Sequence, residues 1–189
     1  MNIPYTNIIL GSQSPRRKQL LEGIGIPFSV KILDIDESFP CDLKAQNIPL
    51  YLCRKKADHF TINDDNTLLI TADTIVWINE HALNKPIDLD EAKRMLRELS
   101  GNLHQVYTGV CIKSKSKTQS FYCETNVYFK NLSDNEIEYY LRNFKPLDKA
   151  GSYGVQEWIG YIGIERLEGS YFNVMGLPTK ELYEALLNF

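Results

Sequence analysis

At 189 residues, 43% hydrophobic and 24% charged, the chain is long enough for one substantial core and marginal for two, so a single domain over residues 1–189 is expected. A net charge of -3 excludes a global basic field that would draw in nucleic acid, and any polyanion site must be a local cluster. No apolar run approaches a membrane span and the short apolar start lacks a cleavage-like pattern, so neither nucleic acid nor membrane is an expected partner and the cytoplasm is the expected location.

Residues 6–11 read as a buried strand leading into a helix over residues 15–24 that ends at Gly23 or Gly25. Between them lies Gly11-Ser12-Gln13-Ser14-Pro15-Arg16-Arg17-Lys18. Ser14 suits an N-cap and Pro15 the first helical position. Basic residues are disfavoured at the positive end of a helix dipole, so three in a row call for an anion, and phosphate fits best. The alternative is an ordinary strand-to-helix turn with a solvated basic first turn. Phe28 to Leu33 reads as a second strand, followed by the acidic run Asp34-Ile35-Asp36-Glu37. Such carboxylates hold Mg²⁺ in phosphoryl chemistry, or form a solvated loop. Leu43 to Phe60 has helical spacing, with Leu50, Leu52, Cys53 and Ala57 as candidate core positions and Pro49 as a candidate start of the helix proper. Lys56 on that helix is a candidate phosphate partner, as is Lys85 before Pro86; both could equally be solvated.

Thr67 to Ile78 is a β-branched buried strand that carries Asp73, an acid expensive to bury unless paired or metal-bound. Leu89 to Leu99 is an amphipathic helix with Ala92, Met95, Leu96 and Leu99 on one face. His104 to Lys113 and Ser120 to Phe129 form a hairpin that sets Cys111 opposite Cys123. The four cysteines show no C-x-x-C spacing, which excludes a zinc ribbon, and reduced thiols are expected. His59, His81 and His104 show no metal or triad spacing, and His104 is expected to be structural. Ser133 to Glu136 fits a capping box on a helix over Asp134 to Asn143. Residues 148–178 are glycine-rich and irregular, with a short strand near Tyr161 to Arg166, before a closing helix over Pro178 to Leu187. Within that stretch Gly151 and Gly154 let backbone approach a ligand and Gln156 could read a base edge; the alternative is a plain structural loop. The expected fold is α/β, with a mixed, partly antiparallel sheet flanked by helices. Walker A and dinucleotide fingerprints are absent.

Taken together these segments resemble the Maf family of nucleoside triphosphate pyrophosphatases, from Ile8 to Leu182. Ser12-Gln13-Ser14-Pro15-Arg16-Arg17 resembles S-x-S-P-R-R, Asp36-Glu37 the acidic motif, Lys56-Ala57 the helix lysine, Ala72-Asp73-Thr74-Ile75-Val76 the A-D-T-x-V strand and Lys85-Pro86 the K-P pair. Leu99-Ser100-Gly101 with His104, Val106 and Thr108-Gly109 is similar to L-S-G-x-x-H-x-V-x-T-G. Asp148-Lys149-Ala150-Gly151-Ser152-Tyr153 with Gln156 is similar to D-K-A-G-x-Y-x-x-Q, and Gly169-Ser170-Tyr171, Asn173-Val174 and Gly176-Leu177-Pro178 resemble the last motif. Each motif is weak alone; in order they are specific.

The resemblance implies an ITPase-like fold and hydrolysis of a nucleoside triphosphate to monophosphate and pyrophosphate, aided by Mg²⁺ or Mn²⁺. It implies catalytic roles for Asp73, Glu37 and Lys56, with Asp73 and Glu37 holding the metal, Asp73 accepting a proton, or both. Substrate binding falls to Ser12, Ser14, Arg16, Arg17, Thr74, Lys85 and Gln156, among which Arg16, Thr74 and Gln156 are specificity positions. Gln156 fits the branch acting on dTTP and UTP rather than the branch preferring methylated GTP. A homodimer is implied by the resemblance alone. Two rival readings are a nucleotide-binding regulator of cell division and an enzyme on another nucleotide, such as methylated guanine or inosine triphosphates or a sugar nucleotide. The intact Asp73, Glu37 and Lys56 set opposes the first, and the absence of a G-x-G-T-R loop opposes the nucleotidyltransferase. The chain departs from the family pattern at Gly11 where alanine is common, and at Thr71, Asn84 and Glu157 where glycine is common.

Overall fold

The computed structural model describes residues 4–32 and 35–189. Strands β1 (Asn7–Leu10), β2 (Ser29–Val30), β3 (Thr67–Ile78), β4 (His81–Leu83), β5 (Leu103–Lys113), β6 (Thr118–Phe129) and β7 (Ile164–Glu168) form one mixed sheet of order β2-β1-β3-β5-β6-β7, with β4 paired to β3. β1 runs parallel to β2 and β3, and the remaining pairs are antiparallel. Helices α1 (Pro15–Gly23), α2 (Asn47–Asp58), α3 (Leu89–Leu99), α4 (Asp134–Phe144), α5 (Trp158–Gly163), α6 (Tyr171–Met175) and α7 (Thr179–Leu187) complete it. This is the expected α/β class. No described helix is long and apolar enough to cross a membrane.

The period of two along β3 sorts its side chains between two cores. Leu68, Ile70, Ala72, Val76 and Ile78 enter the large core built with α1, α3, α4, α5 and α7. Leu69, Ile75 and Trp77 enter two smaller clusters beneath α2. Asp73 shares the α2 face by parity, and Thr74 the opposite face. Gly109 on β5 lies beside Asp73 in register, and a Cβ there would come 2.4 Å from the Pro49 carbonyl oxygen. Only glycine lets the first turn of α2 press this closely on the sheet.

The site is prepared by a gap in one edge of β3. On that edge β3 pairs with β1 only through Ile70 and with β4 only from Val76. Among the described residues, Thr71 to Ile75 have no strand beside them there. The gap stands at the carboxyl end of parallel β1, the position where open α/β sheets form crevices.

Several expectations are corrected. Of the second strand only Ser29–Val30 pairs, and Leu33, like Asp34 of the acidic run, lies outside the described residues. α2 begins at Asn47, and Ile48 and Pro49 are buried in its first turn while Leu50 is only partly buried. The strand placed near Tyr161 is the helix α5, and pairing begins only at Ile164. Cys111 pairs with Ser120 and Cys123 with Thr108, so the two thiols do not face each other; all four cysteines are free.

Candidate active site

A cleft of about 720 Å³ opens at the β3 gap. Ser12, Ser14, Arg16 and Arg17 line it from the β1–α1 turn, and Glu37 from the segment after β2. Lys56 comes from α2, Asp73 and Thr74 from β3, Lys85 from the segment after β4, and Gln156 from the segment before α5. Every residue to which the family resemblance gives a catalytic or binding role therefore lines one cavity.

The start of α1 is tightly organised. Ser14 caps it by accepting the Arg17 amide at 3.4 Å, and Ser12 Oγ accepts the Ser14 amide at 3.2 Å. No acid occupies the first turn. The two arginines diverge. Arg17 turns inward, donating from Nε to the Gly176 carbonyl at 2.8 Å and from Nη2 to Thr74 Oγ1 at 3.0 Å. Burial lowers its pKa, with Asp73 and Glu37 opposing that shift. Arg16 donates from Nη1 to Asp148 Oδ2 at 2.8 Å. Lys18 is exposed and, among the described residues, pairs only with Glu22 at 3.8 Å.

Lys56 is the hub of the acidic side. Its Nζ lies 2.5 Å from Asp73 Oδ1 and 2.8 Å from Glu37 Oε1, while Lys85 Nζ meets Glu37 Oε2 at 2.9 Å. Burial alone would raise the Glu37 pKa, but the two ammonium groups hold it down at about 2. Among the described residues no three His, Cys, Asp or Glu side chains converge as a metal-holding group. Asp73 and Glu37 present, on either side of the Lys56 ammonium, oxygen donors of the kind a hard divalent ion takes.

Thr74 Oγ1 also shares a 2.9 Å hydrogen bond with Thr108 Oγ1, which donates to the Asn173 carbonyl at 3.0 Å. Gln156 Oε1 is buried and has no hydrogen-bond partner among the described residues. A buried acceptor left open costs free energy until something donates to it. His104 lies away from this chemistry. Its Nε2 is 2.8 Å from the Tyr153 hydroxyl, and burial pushes its pKa down to about 3, so it is a neutral structural side chain as expected.

The sequence matches the family model described as Maf-like protein over residues 7–189. The chain belongs to the Maf family. It is 54% identical to a dTTP/UTP pyrophosphatase of Porphyromonas gingivalis (strain ATCC BAA-308 / W83), across 100% of this chain and 96% of that one. A dTTP/UTP pyrophosphatase of Parabacteroides distasonis is 51% identical, with 100% and 98% covered. Among solved structures, the Staphylococcus aureus Ham1 protein aligns with a TM-score of 0.46 at 10% identity, covering 66% of this chain and 72% of its own.

The departures from the Maf pattern acquire partners in the structure. Gly11 and Thr71 are one exchange of volume. A Cβ on Gly11 would stand 2.9 Å from Thr71 Cγ2, and Thr71 Oγ1 donates to the Cys53 carbonyl at 2.7 Å. The Asn84 main-chain carbonyl accepts the Gly151 amide at 3.3 Å, a contact that a glycine there would also make, and nothing in the structure explains the side chain. Asp148 and Lys149, from the late candidate segment, and Phe60 also line the cleft, although the resemblance gives none of them a role. The D-K pair of the late motif was a usable signal for the first two. Phe60 carries no local signal, because it reaches the cleft only through the packing of α2.

Proposed function

We propose that this Maf-family protein hydrolyses dTTP and UTP to the monophosphate and pyrophosphate by attack of water on the α-phosphorus. The observation that carries the reading is a single cavity holding both a carboxylate pair centred on Lys56 and the Gln156 carbonyl, which has no hydrogen-bond partner among the described residues. Similarity to the dTTP/UTP pyrophosphatases of Porphyromonas gingivalis and Parabacteroides distasonis supports the same substrates. In this reading the whole chain acts as one domain, because the cleft draws on residues from Gly11 to Gly176.

Asp73 keeps one oxygen on Lys56 and takes the proton of the attacking water on the other. The bond from the α-phosphorus to its bridging oxygen breaks and pyrophosphate leaves. Negative charge grows on the leaving oxygens, and Lys56, Lys85 and Arg16 neutralise it from fixed positions. Arg17, committed to Thr74 and Gly176, holds the start of α1, with Ser12 and Ser14, against the phosphates. Glu37 and Asp73 would hold Mg²⁺ or Mn²⁺, which adds charge neutralisation at the phosphate oxygens when bound. Gln156 Oε1 accepts the N3–H of uracil or thymine, whereas cytosine presents a lone pair there.

The test is a panel of common, methylated and inosine triphosphates with product analysis. Pyrophosphate release that is greatest with dTTP and UTP is expected. Orthophosphate as first product, or preference for a methylated guanine or inosine triphosphate, would overturn the reading.

A further inference from the structure

Glu157 stands behind the cleft with both carboxylate oxygens engaged. Oε1 meets Lys149 Nζ at 3.0 Å, and Oε2 accepts the Tyr140 hydroxyl. That hydroxyl in turn accepts the Gly154 amide at 3.1 Å. The Lys149 side chain is only 9% exposed, and its ammonium also meets Asp148 Oδ1 at 2.7 Å. Asp148 then holds Arg16 through its other oxygen at 2.8 Å. A continuous polar chain thus runs from Tyr140 on α4 to Arg16 on α1. A Cβ on Gly154 would come 2.7 Å from Glu157 Cδ, so the carboxylate lies directly against the segment that leads to Gln156.

We infer that Glu157 is a positioning residue for nucleobase selection, acting through Lys149 and Tyr140 on the segment that carries the Gln156 amide. The inference rests on the base-reading role of Gln156 proposed above. Both neighbours of Glu157 donate to it. A glutamine there can satisfy only one. If its carbonyl faces Lys149, its amide N–H faces the Tyr140 hydroxyl, whose own proton then loses its acceptor. If its carbonyl faces Tyr140, its amide N–H meets a buried ammonium. Either conflict shifts the segment before α5, and the base contact with it. Asp73, Lys56 and Glu37 stand on β3, α2 and the segment after β2, outside this chain. Arg16 stays held by the Asp148 oxygen that does not meet Lys149, so turnover at saturation is spared while recognition suffers.

The experiment is steady-state kinetics of wild type and Glu157→Gln with UTP, dTTP and CTP. KM for UTP is expected to rise about tenfold, with kcat within about twofold and the UTP-over-CTP ratio of kcat/KM falling about tenfold. In a Lys149→Met background, where the ammonium to be matched is gone, Glu157→Gln is expected to lower that ratio by less than about twofold. A full further fall there, or a lower kcat with the ratio intact, overturns the inference. If Glu157→Gln does not fold, Tyr140→Phe carries the test: a fall in the ratio supports the inference and an unchanged ratio overturns it. Wild type that treats UTP and CTP alike removes the Gln156 reading and this inference together. Discrimination retained equally by wild type and variant removes this inference alone.

Discussion

The two sides of the cleft are built differently. The side made by β3, α2 and the start of α1 rests on regular elements, and its charges are set by backbone geometry: an N-cap at Ser14, the parity of β3, the last turn of α2. The side made by residues 148–157 has only a single 3-10 turn, Ala150–Ser152, and is held by side chains: Lys149, Glu157 and Tyr140. A group that moves a proton needs the fixed position that strands and helices provide. A group that reads a base sits on a loop, where a small shift changes selectivity without undoing the chemistry. Substitutions on the first side should therefore cost rate, and on the second side discrimination.

The largest expected effect is at Asp73. Asp73→Asn should fold normally and lose about two to four orders of magnitude in kcat, with the order of preference among bases unchanged. Wild-type rate in a folded variant would remove Asp73 from the mechanism. Metal removal tests the same side. Hydrolysis should fall to background in EDTA and return with added Mg²⁺ or Mn²⁺, measured as pyrophosphate released; undiminished rate in EDTA would leave the lysines and arginines as the sole neutralising charge.

Gln156→Ala sharpens the comparison from the other side. The kcat/KM ratio of UTP to CTP should fall about tenfold or more, because an unmatched polar edge is what a site rejects best. If kcat/KM falls equally for dTTP, UTP and CTP, Gln156 only braces its loop.

A smaller effect is expected at the Gly11–Thr71 contact. Gly11→Ala should cost about 1–3 kcal/mol by denaturant melt, since Thr71 is β-branched and cannot swing aside. Thr71→Ser, which removes the clashing methyl and keeps the hydroxyl on Cys53, should recover most of it; additive losses would refute the exchange.

The smallest effect is acid dependence at Glu37. Its folded pKa, about 2, lies below its ordinary 4.5, so its contribution is full above 4.5 and is lost as pH falls toward 2. The Glu37 side chain is 44% exposed, so solvent screening holds the contribution to about 1 kcal/mol or less. The melting difference between wild type and Glu37→Gln should shrink across that window. A constant difference would show that Glu37 acts by shape alone.

The long periodic elements were legible from the sequence. β3 and α3 occupy the expected residues, because a twelve-residue buried strand and an eleven-residue amphipathic helix repeat their pattern often enough to be unambiguous. The capping box at Ser133 and Glu136 was also local and forms as expected. The residues that line the cleft were legible through their motifs, since anion binding leaves few choices of side chain.

Residues 148–178 were not legible in the same way. α5 and α6 have six and five residues, too few for a pattern, and exist because Ile159 and Met175 fit the large core. The hairpin register was decided by the pairing of the whole of β5 and β6, which no residue near Cys111 or Cys123 announces. The sequence by itself determined the class of fold, the long elements and the inventory of charges. Tertiary structure alone decided the pairings: Arg17 turned inward to Gly176, Arg16 held by Asp148 from 132 residues away, and Glu157 joined to Arg16 through Lys149. A charge announces itself in sequence, but its partner is chosen by distance, and distance exists only once the chain has folded.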